Sequence, residues 1–164
     1  MSTHEQDRQR YIEMAGDMLE EHGLPHMAGR VLGALQICVP LEMTMTELAK
    51  RLRASKGSIS TATRLLLRLE LVEKVSVPGQ RAHAYRMRPN VFSEMFAQRT
   101  EHLSRHHRLG ELGLGILREE SIEMKQRVVE MQAFFDFVSE ELPRLIERWR
   151  ERRPLLLKRR LAGD

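Results

Sequence analysis

Between Glu47 and Glu70 the chain holds no acidic residue, yet it sets Lys50, Arg51, Arg53, Lys56, Arg64 and Arg68 there. Short hydroxyl side chains, Ser55, Ser58, Ser60 and Thr61, stand among them. A guanidinium fork donates in pairs to guanine O6/N7 or to phosphate oxygens, and a short hydroxyl can contact a base edge or a phosphate. The chemistry on offer is recognition of a polyanion, not bond-making. No nucleophile, base and orienting group share a spacing that suggests an active site, and no loop is built to cradle phosphates, so no enzyme is expected.

Two helices must position these groups. Thr44-x-x-Glu47 fits a capping box, which opens a helix by pairing each residue with the other's free backbone N–H. Ser55 is the natural N-cap of a second helix over 56–70, after a tight polar turn. With Ile59 pointing inward and an advance of about 100° per residue, Leu66 and Glu70 fall within about 20° of it. Ala62, Thr63 and Leu69 lie further out on that side. Gly57, Thr61, Arg64 and Arg68 take the opposite face, flanked by Ser58 and Ser60. That division, apolar inward and guanidinium with hydroxyl outward, suits a helix lying in a DNA major groove. Gly57 lets the backbone come close, and the free N–H groups after Ser55 and Lys56 suit a phosphate.

Downstream, Leu71–Val77 alternates apolar and polar residues, Pro78-Gly79-Gln80 reads as a turn, and Ala82–Arg88 alternates again before Pro89. Helix, turn, helix and hairpin make a winged helix-turn-helix. Arg81, Arg86 and Arg88 on the hairpin would then grip the adjacent minor groove or its phosphates, with His83 a solvated neighbour.

The charge distribution agrees. Residues 1–43 carry three Lys/Arg against seven Asp/Glu (net −4), residues 44–88 ten against three (net +7), and residues 89–164 fourteen against thirteen (net +1). The middle segment is a positive patch, the footprint expected for a nucleic-acid partner. A winged helix that binds only protein would not need it.

Here the residues resemble a known family. The run Pro25-His-Met-Ala-Gly-Arg-Val-Leu-Gly-Ala-Leu, then Leu48-Ala-x-x-Leu-x-Ala-Ser-Lys-Gly-Ser-Ile-Ser, then Arg68-Leu-x-Leu-Val-Glu-Lys, is similar to the GbsR-like branch of the MarR family of bacterial regulators. The resemblance covers residues 10–90 closely and the helical remainder more loosely. It implies a winged-helix homodimer on an inverted-repeat operator, often a repressor and sometimes relieved by a small ligand. Carried over by position, the recognition helix is Lys56–Leu69 and the wing Lys74–Arg88.

The rest of the chain is expected to be helical. An amphipathic helix over 4–22 shows Tyr11, Met14, Ala15, Met18 and Leu19, and Gly23 closes it. A second, over 25–38, carries Gly29 and Gly33 that permit close packing, and Pro40 ends it. Beyond Asn90 helix runs to about Arg153, with a break near Glu119–Ser121 and Ser121 as cap; the tail from Pro154 is left unassigned. The expected fold is therefore mainly α with a small β-hairpin wing. Residues 1–90 form the DNA-binding domain and 91–164 a helical dimerisation region, whose apolar stripe exceeds what a lone arm can cover. Leu109, Leu112, Ile116, Val128, Phe134 and Phe135 are its candidate interface.

Weaker signals yield no further site. His102 and His106 sit one helical turn apart beside Glu101 and His107, but a zinc site needs more ligands, so no metal is assigned. The order Gly110-x-x-Gly113-x-Gly115 is not a dinucleotide fingerprint. Cys38 has no basic neighbour to activate its thiol, and Tyr11 with Trp149 is thin support for an aromatic cage. No cofactor is expected. The single cysteine, the absence of a signal-like start and the lack of a membrane-length apolar run point to the cytoplasm and to no membrane partner. The reading is a DNA-binding transcriptional regulator with double-stranded DNA and a second copy as partners, a small-molecule effector left open. The alternative is a protein-interaction module, or a ligand- or redox-sensing regulator with little sequence-specific DNA binding.

Overall fold

The computed structural model describes residues 3–76 and 82–163, the side chains of 98–102 and 104 excepted. The Pro78-Gly79-Gln80 turn and Arg81 lie outside the described residues, as do the side chains of Glu101 and His102. The chain divides into two compact units, Met1–Val91 and Phe92–Asp164.

The first unit runs α1 (Thr3–Glu21), α2 (His26–Gln36), β1 (Met43–Thr44), α3 (Met45–Leu52), α4 (Lys56–Arg68), β2 (Val72–Ser76) and β3 (His83–Met87). Helices α1 and α2 meet backbone to backbone because glycine leaves the room. A Cβ at Gly29 would stand 2.3 Å from the Ala15 carbonyl oxygen, and one at Gly33 2.6 Å from the Ala15 Cβ. Ile12 and Gly16 are the buried residues of α1. Tyr11, Met14 and Met18, expected on its packing face, are exposed instead. The close glycine contact turns α1 onto its small-residue side, which periodicity of large apolar residues does not report. Arg30 ties three helices together: it pairs with Glu13 of α1 at 3.0 Å and donates to the Leu52 carbonyl at the end of α3, also at 3.0 Å.

The sheet has three strands, one more than the hairpin expected, in the order β1-β3-β2 and antiparallel throughout. Two-residue β1 has no alternation to read, and only its pairing of Met43 with Tyr85 and Thr44 with Ala84 makes it a strand. As the central strand, β3 buries both Ala84 and Tyr85. The core beneath the two helices of the turn gathers Leu48, Leu52, Ile59, Leu66 and Val72, all essentially inaccessible.

The second unit is a helical hairpin of α5 (Val91–Ile116) and α6 (Ile122–Ala162). Ser121 caps α6, accepting from the Met124 N–H at 3.4 Å. The glycines of α5 receive side chains of α6: a Cβ at Gly113 would sit 3.1 Å from Val128, and one at Gly110 2.9 Å from Gln132. Further along, His106 stacks on Phe135 with ring centroids 3.7 Å apart, and His107 pairs with Asp136 at 3.2 Å. These pairs set an antiparallel register. Helix α6 continues through Pro143 and Pro154 to a left-handed Gly163 cap. Each proline removes one donor to the carbonyl four residues back, Ser139 and Arg150, and both of these residues are exposed to water.

Candidate nucleic-acid interface

The helix-turn-helix segment is built from two caps. Thr44 opens α3: its Oγ1 accepts from the Glu47 N–H at 3.2 Å, and the Glu47 carboxylate accepts from the Thr44 N–H and hydroxyl, each at 2.7 Å. Those bonds to the charged form hold the Glu47 carboxyl below its ordinary range. Arg53 then takes the left-handed conformation (φ 50°, ψ 44°) that turns the chain sharply after α3. Ser55 restarts it, its Oγ accepting from the Ser58 N–H at 3.1 Å. The Ser55 oxygen is thus occupied as a cap, which leaves its hydroxyl proton for an outside acceptor.

Along α4 the buried residues are Ile59, Ala62, Thr63 and Leu66. Thr63 is the one polar member, and it donates its hydroxyl to the Ile59 carbonyl at 2.9 Å. Lys56, Gly57, Thr61, Arg64 and Arg68 are exposed, with Ser58 and Ser60 half-buried. A Cβ at Gly57 would meet nothing nearer than Ser55 Oγ at 3.9 Å, so the glycine serves no packing inside the chain and leaves the helix start open to an approaching backbone. Arg64 folds its Nε toward the Ser60 carbonyl at 3.3 Å.

One expectation fails at the end of this helix. Glu70 does not face inward: α4 stops at Arg68, Glu70 adopts a positive φ of 57°, and its side chain is exposed. The helical period does not continue past Arg68, the last residue of α4, so it does not place Glu70. Leu69 is likewise on the surface.

The basic residues fall into two sets that sequence does not separate. Arg51 is held by Glu5 of α1 at 2.7 Å. On the wing, Arg86 pairs across the strands with Glu73 at 2.6 Å and Arg88 with Glu70 at 2.8 Å. Lys50, Arg53, Lys56, Arg68 and Lys74 are exposed and, among the described residues, make no ion pair. Lys50, Arg53 and Lys74 extend the basic surface beyond the helix and wing residues picked out from sequence. His83 is exposed on β3.

Of the apolar residues picked out for an interface, Leu109, Leu112, Ile116 and Phe134 are exposed. Val128 and Phe135 are half-buried and spend part of their surface within the hairpin, on Gly113 and His106. Elsewhere, His26 pairs with Asp17 at 3.1 Å, and Glu20 stands near both on the exposed end of α1. Burial pushes the Cys38 thiol up, disfavouring the reactive thiolate.

Residues 22–82 match the MarR family, and residues 90–152 match the MmpR5-like MarR family transcriptional regulators. The HTH-type transcriptional regulator MmpR5 of Mycobacterium tuberculosis is 30% identical over 148 residues, which is 90% of each chain. This chain belongs to the MarR family. It is a winged-helix, DNA-binding transcriptional regulator, and the family and relatives it matches are regulators, not enzymes. A solved structure described as a transcriptional regulator is 30% identical, with a TM-score of 0.72, and the match covers 89% of this chain and 99% of that one. The putative HTH-type regulator YvaV of Bacillus subtilis is 31% identical over 88 residues, 54% of this MarR-family chain and 49% of that protein. Among the described residues, no helix is long and apolar enough to cross a membrane.

Proposed function

We propose that this MarR-family regulator binds an inverted-repeat operator as a cytoplasmic homodimer, and represses from it. The observation that carries the reading is the outer face of α4. Gly57, Thr61, Arg64 and Arg68 are exposed along one side of a helix whose other side is anchored by Ile59, Ala62 and Leu66. A rigid helix with Arg and hydroxyl groups outward reads base edges, while Lys50, Arg53, Lys56 and Lys74 around it supply phosphate contacts that position it. Arg81, Arg86 and Arg88 of the wing take the flanking minor groove or its phosphates.

A single recognition helix touches too few base pairs to select one site in a genome. Two copies related by a two-fold axis read half-sites about one helical turn apart, ~10 bp. Leu109, Leu112, Ile116 and Phe134, exposed on the long helices, form the pairing surface, with Val128 and Phe135 behind them. The finer assignment to the GbsR-like branch rests on the residues from Pro25 to Lys74, and it leaves room for a small-molecule effector.

An electrophoretic shift with DNA from upstream of the regulator's own gene tests the reading. Two basic segments neutralise on the order of 6–10 phosphates, so affinity should fall roughly 10³- to 10⁵-fold between 50 and 200 mM salt. Affinity that stays flat over that range overturns it.

A further inference from the structure

The net charge of +1 carried by residues 89–164 conceals a steep asymmetry. Residues 92–143 hold six Lys/Arg against ten Asp/Glu, a net −4, whereas residues 144–160 hold eight against two, a net +6. All of the second group lies on the last part of α6. At about 100° per residue, Arg144, Arg148, Arg152 and Arg159 fall within about 80° of arc, a single stripe roughly 22 Å long at 1.5 Å per residue. All four are exposed. The less exposed residues of the segment, Ile146, Trp149, Arg153 and Leu156, are centred about 120° away on the wheel. Arg144 pairs with Glu141 at 2.6 Å; Arg148, Arg152 and Arg159 make no ion pair among the described residues.

We propose that this stripe is a second phosphate-binding surface, which takes duplex DNA flanking the site read by α4. The inference rests on the DNA reading above. Three observations favour DNA over an anionic membrane. The stripe is arginine almost throughout, and the guanidinium fork meets phosphate oxygens in pairs. Its length covers about six base-pair steps at 3.4 Å each. The exposed leucines nearby, Leu155, Leu157 and Leu161, spread over about 160° of arc with Arg150 and Lys158 between them, so they make no continuous apolar face to enter lipid.

The test uses the full chain carrying Arg148→Gln, Arg152→Gln and Arg159→Gln together, against the unaltered protein and Arg64→Ala. Binding is measured from 50 to 200 mM salt on a duplex limited to the operator and on one extended by about two helical turns each side. The triple variant should lose up to about 5.4 from the slope of log affinity against log salt on the extended duplex, ~0.9 for each of the six phosphate contacts removed from the dimer. It should keep the ratio of operator to random-sequence affinity, and the matching triple to Lys should keep most of the slope. Should the Gln triple lose its helical circular dichroism, the single Arg152→Glu supplies the same readout with a smaller drop. An unchanged slope and affinity on the extended duplex overturns the proposal, as does loss of binding to phosphatidylglycerol vesicles with DNA binding intact. If the unaltered protein itself shows no salt-dependent DNA binding and Arg64→Ala changes nothing, the DNA reading of α4 fails instead.

Discussion

Arg88 donates to the Glu70 carboxylate at 2.8 Å, joining the exit of the last wing strand to the turn that follows α4. The Arg88 N–H also reaches the Leu71 carbonyl at 3.1 Å, so main chain and side chain fasten the same corner. With Glu73 holding Arg86 one step away, two wing arginines are neutralised in the DNA-free protein. Each pair joins an exposed side chain to a half-buried one at the surface, where such bridges contribute about 0–1 kcal/mol. A phosphate can therefore displace either carboxylate at little cost to the fold.

Glu70→Gln should accordingly raise DNA affinity across all sequences and steepen the salt slope by about 1.8, the contribution of one released arginine in each half of the dimer. Stability should change by no more than about 1 kcal/mol. Titration of random-sequence duplex at two salt concentrations checks it; an unaltered slope would mean that Arg88 never reaches a phosphate.

Arg64→Ala should cost about 1–3 kcal/mol on the preferred site and relax the choice of base at one position. Arg81→Ala should weaken binding to every sequence more evenly. Selection from a randomised half-site library separates the two. Equal losses for Arg64→Ala on specific and random DNA would make Arg64 a phosphate contact.

Thr44→Ala removes the side-chain bonds of the capping box, leaves the Thr44 backbone N–H on the Glu47 carboxylate, and should destabilise the winged-helix unit by about 1 kcal/mol. The folded-state pKa of Glu47 is depressed, first by the Thr44 backbone N–H and then by its hydroxyl. Its stabilisation is therefore fully present above the ordinary Glu value of about 4.3 and lost as pH falls through the lower folded value. Denaturant unfolding from neutral pH to pH 3 should show a shallower acid-side loss in Glu47→Gln than in the parent, with Thr44→Ala, which keeps the backbone N–H, in between; parallel curves for Glu47→Gln and the parent would refute the link.

Gly29→Ala would place a methyl 2.3 Å from the Ala15 carbonyl oxygen, which is backbone and cannot move without shifting α1. Overpacking of this kind costs about 1–3 kcal/mol, with strain of a carbonyl at the upper end. Gly57→Ala, where space is open, should leave stability nearly unchanged while weakening DNA binding. A melting curve for each variant beside a binding curve distinguishes packing from interface.

The proposed homodimer is open to direct measurement. Light scattering at micromolar concentration should give twice the chain mass. Leu112→Glu with Ile116→Glu should shift it to the monomer and lower operator affinity, while the circular dichroism of the winged helix persists. A full-length protein already monomeric at that concentration would leave the exposed apolar residues of α5 and α6 without a role and refute the homodimer.

Local chemistry was legible in the sequence because it depends on near neighbours. Caps at Thr44, Ser55 and Ser121 act over three residues, alternation marks β2 and β3, and the 3.6-residue period divides α4 into a buried and an exposed side. The charge excess between residues 44 and 88 needs no structure at all. Tertiary structure decided whatever joins residues far apart. It made a strand of Met43–Thr44 by giving it β3 as a partner, and turned α1 onto Gly16 and Ile12 because Gly29 and Gly33 admit its backbone. Helix α6 runs on through Pro154, a residue at which local rules leave helix and tail both open. Tertiary structure also sorted the arginines. Arg51 and Arg64 look alike in sequence, but Glu5, forty-six residues away, binds the first and leaves the second facing outward, because ion pairing depends on distance in space and not along the chain.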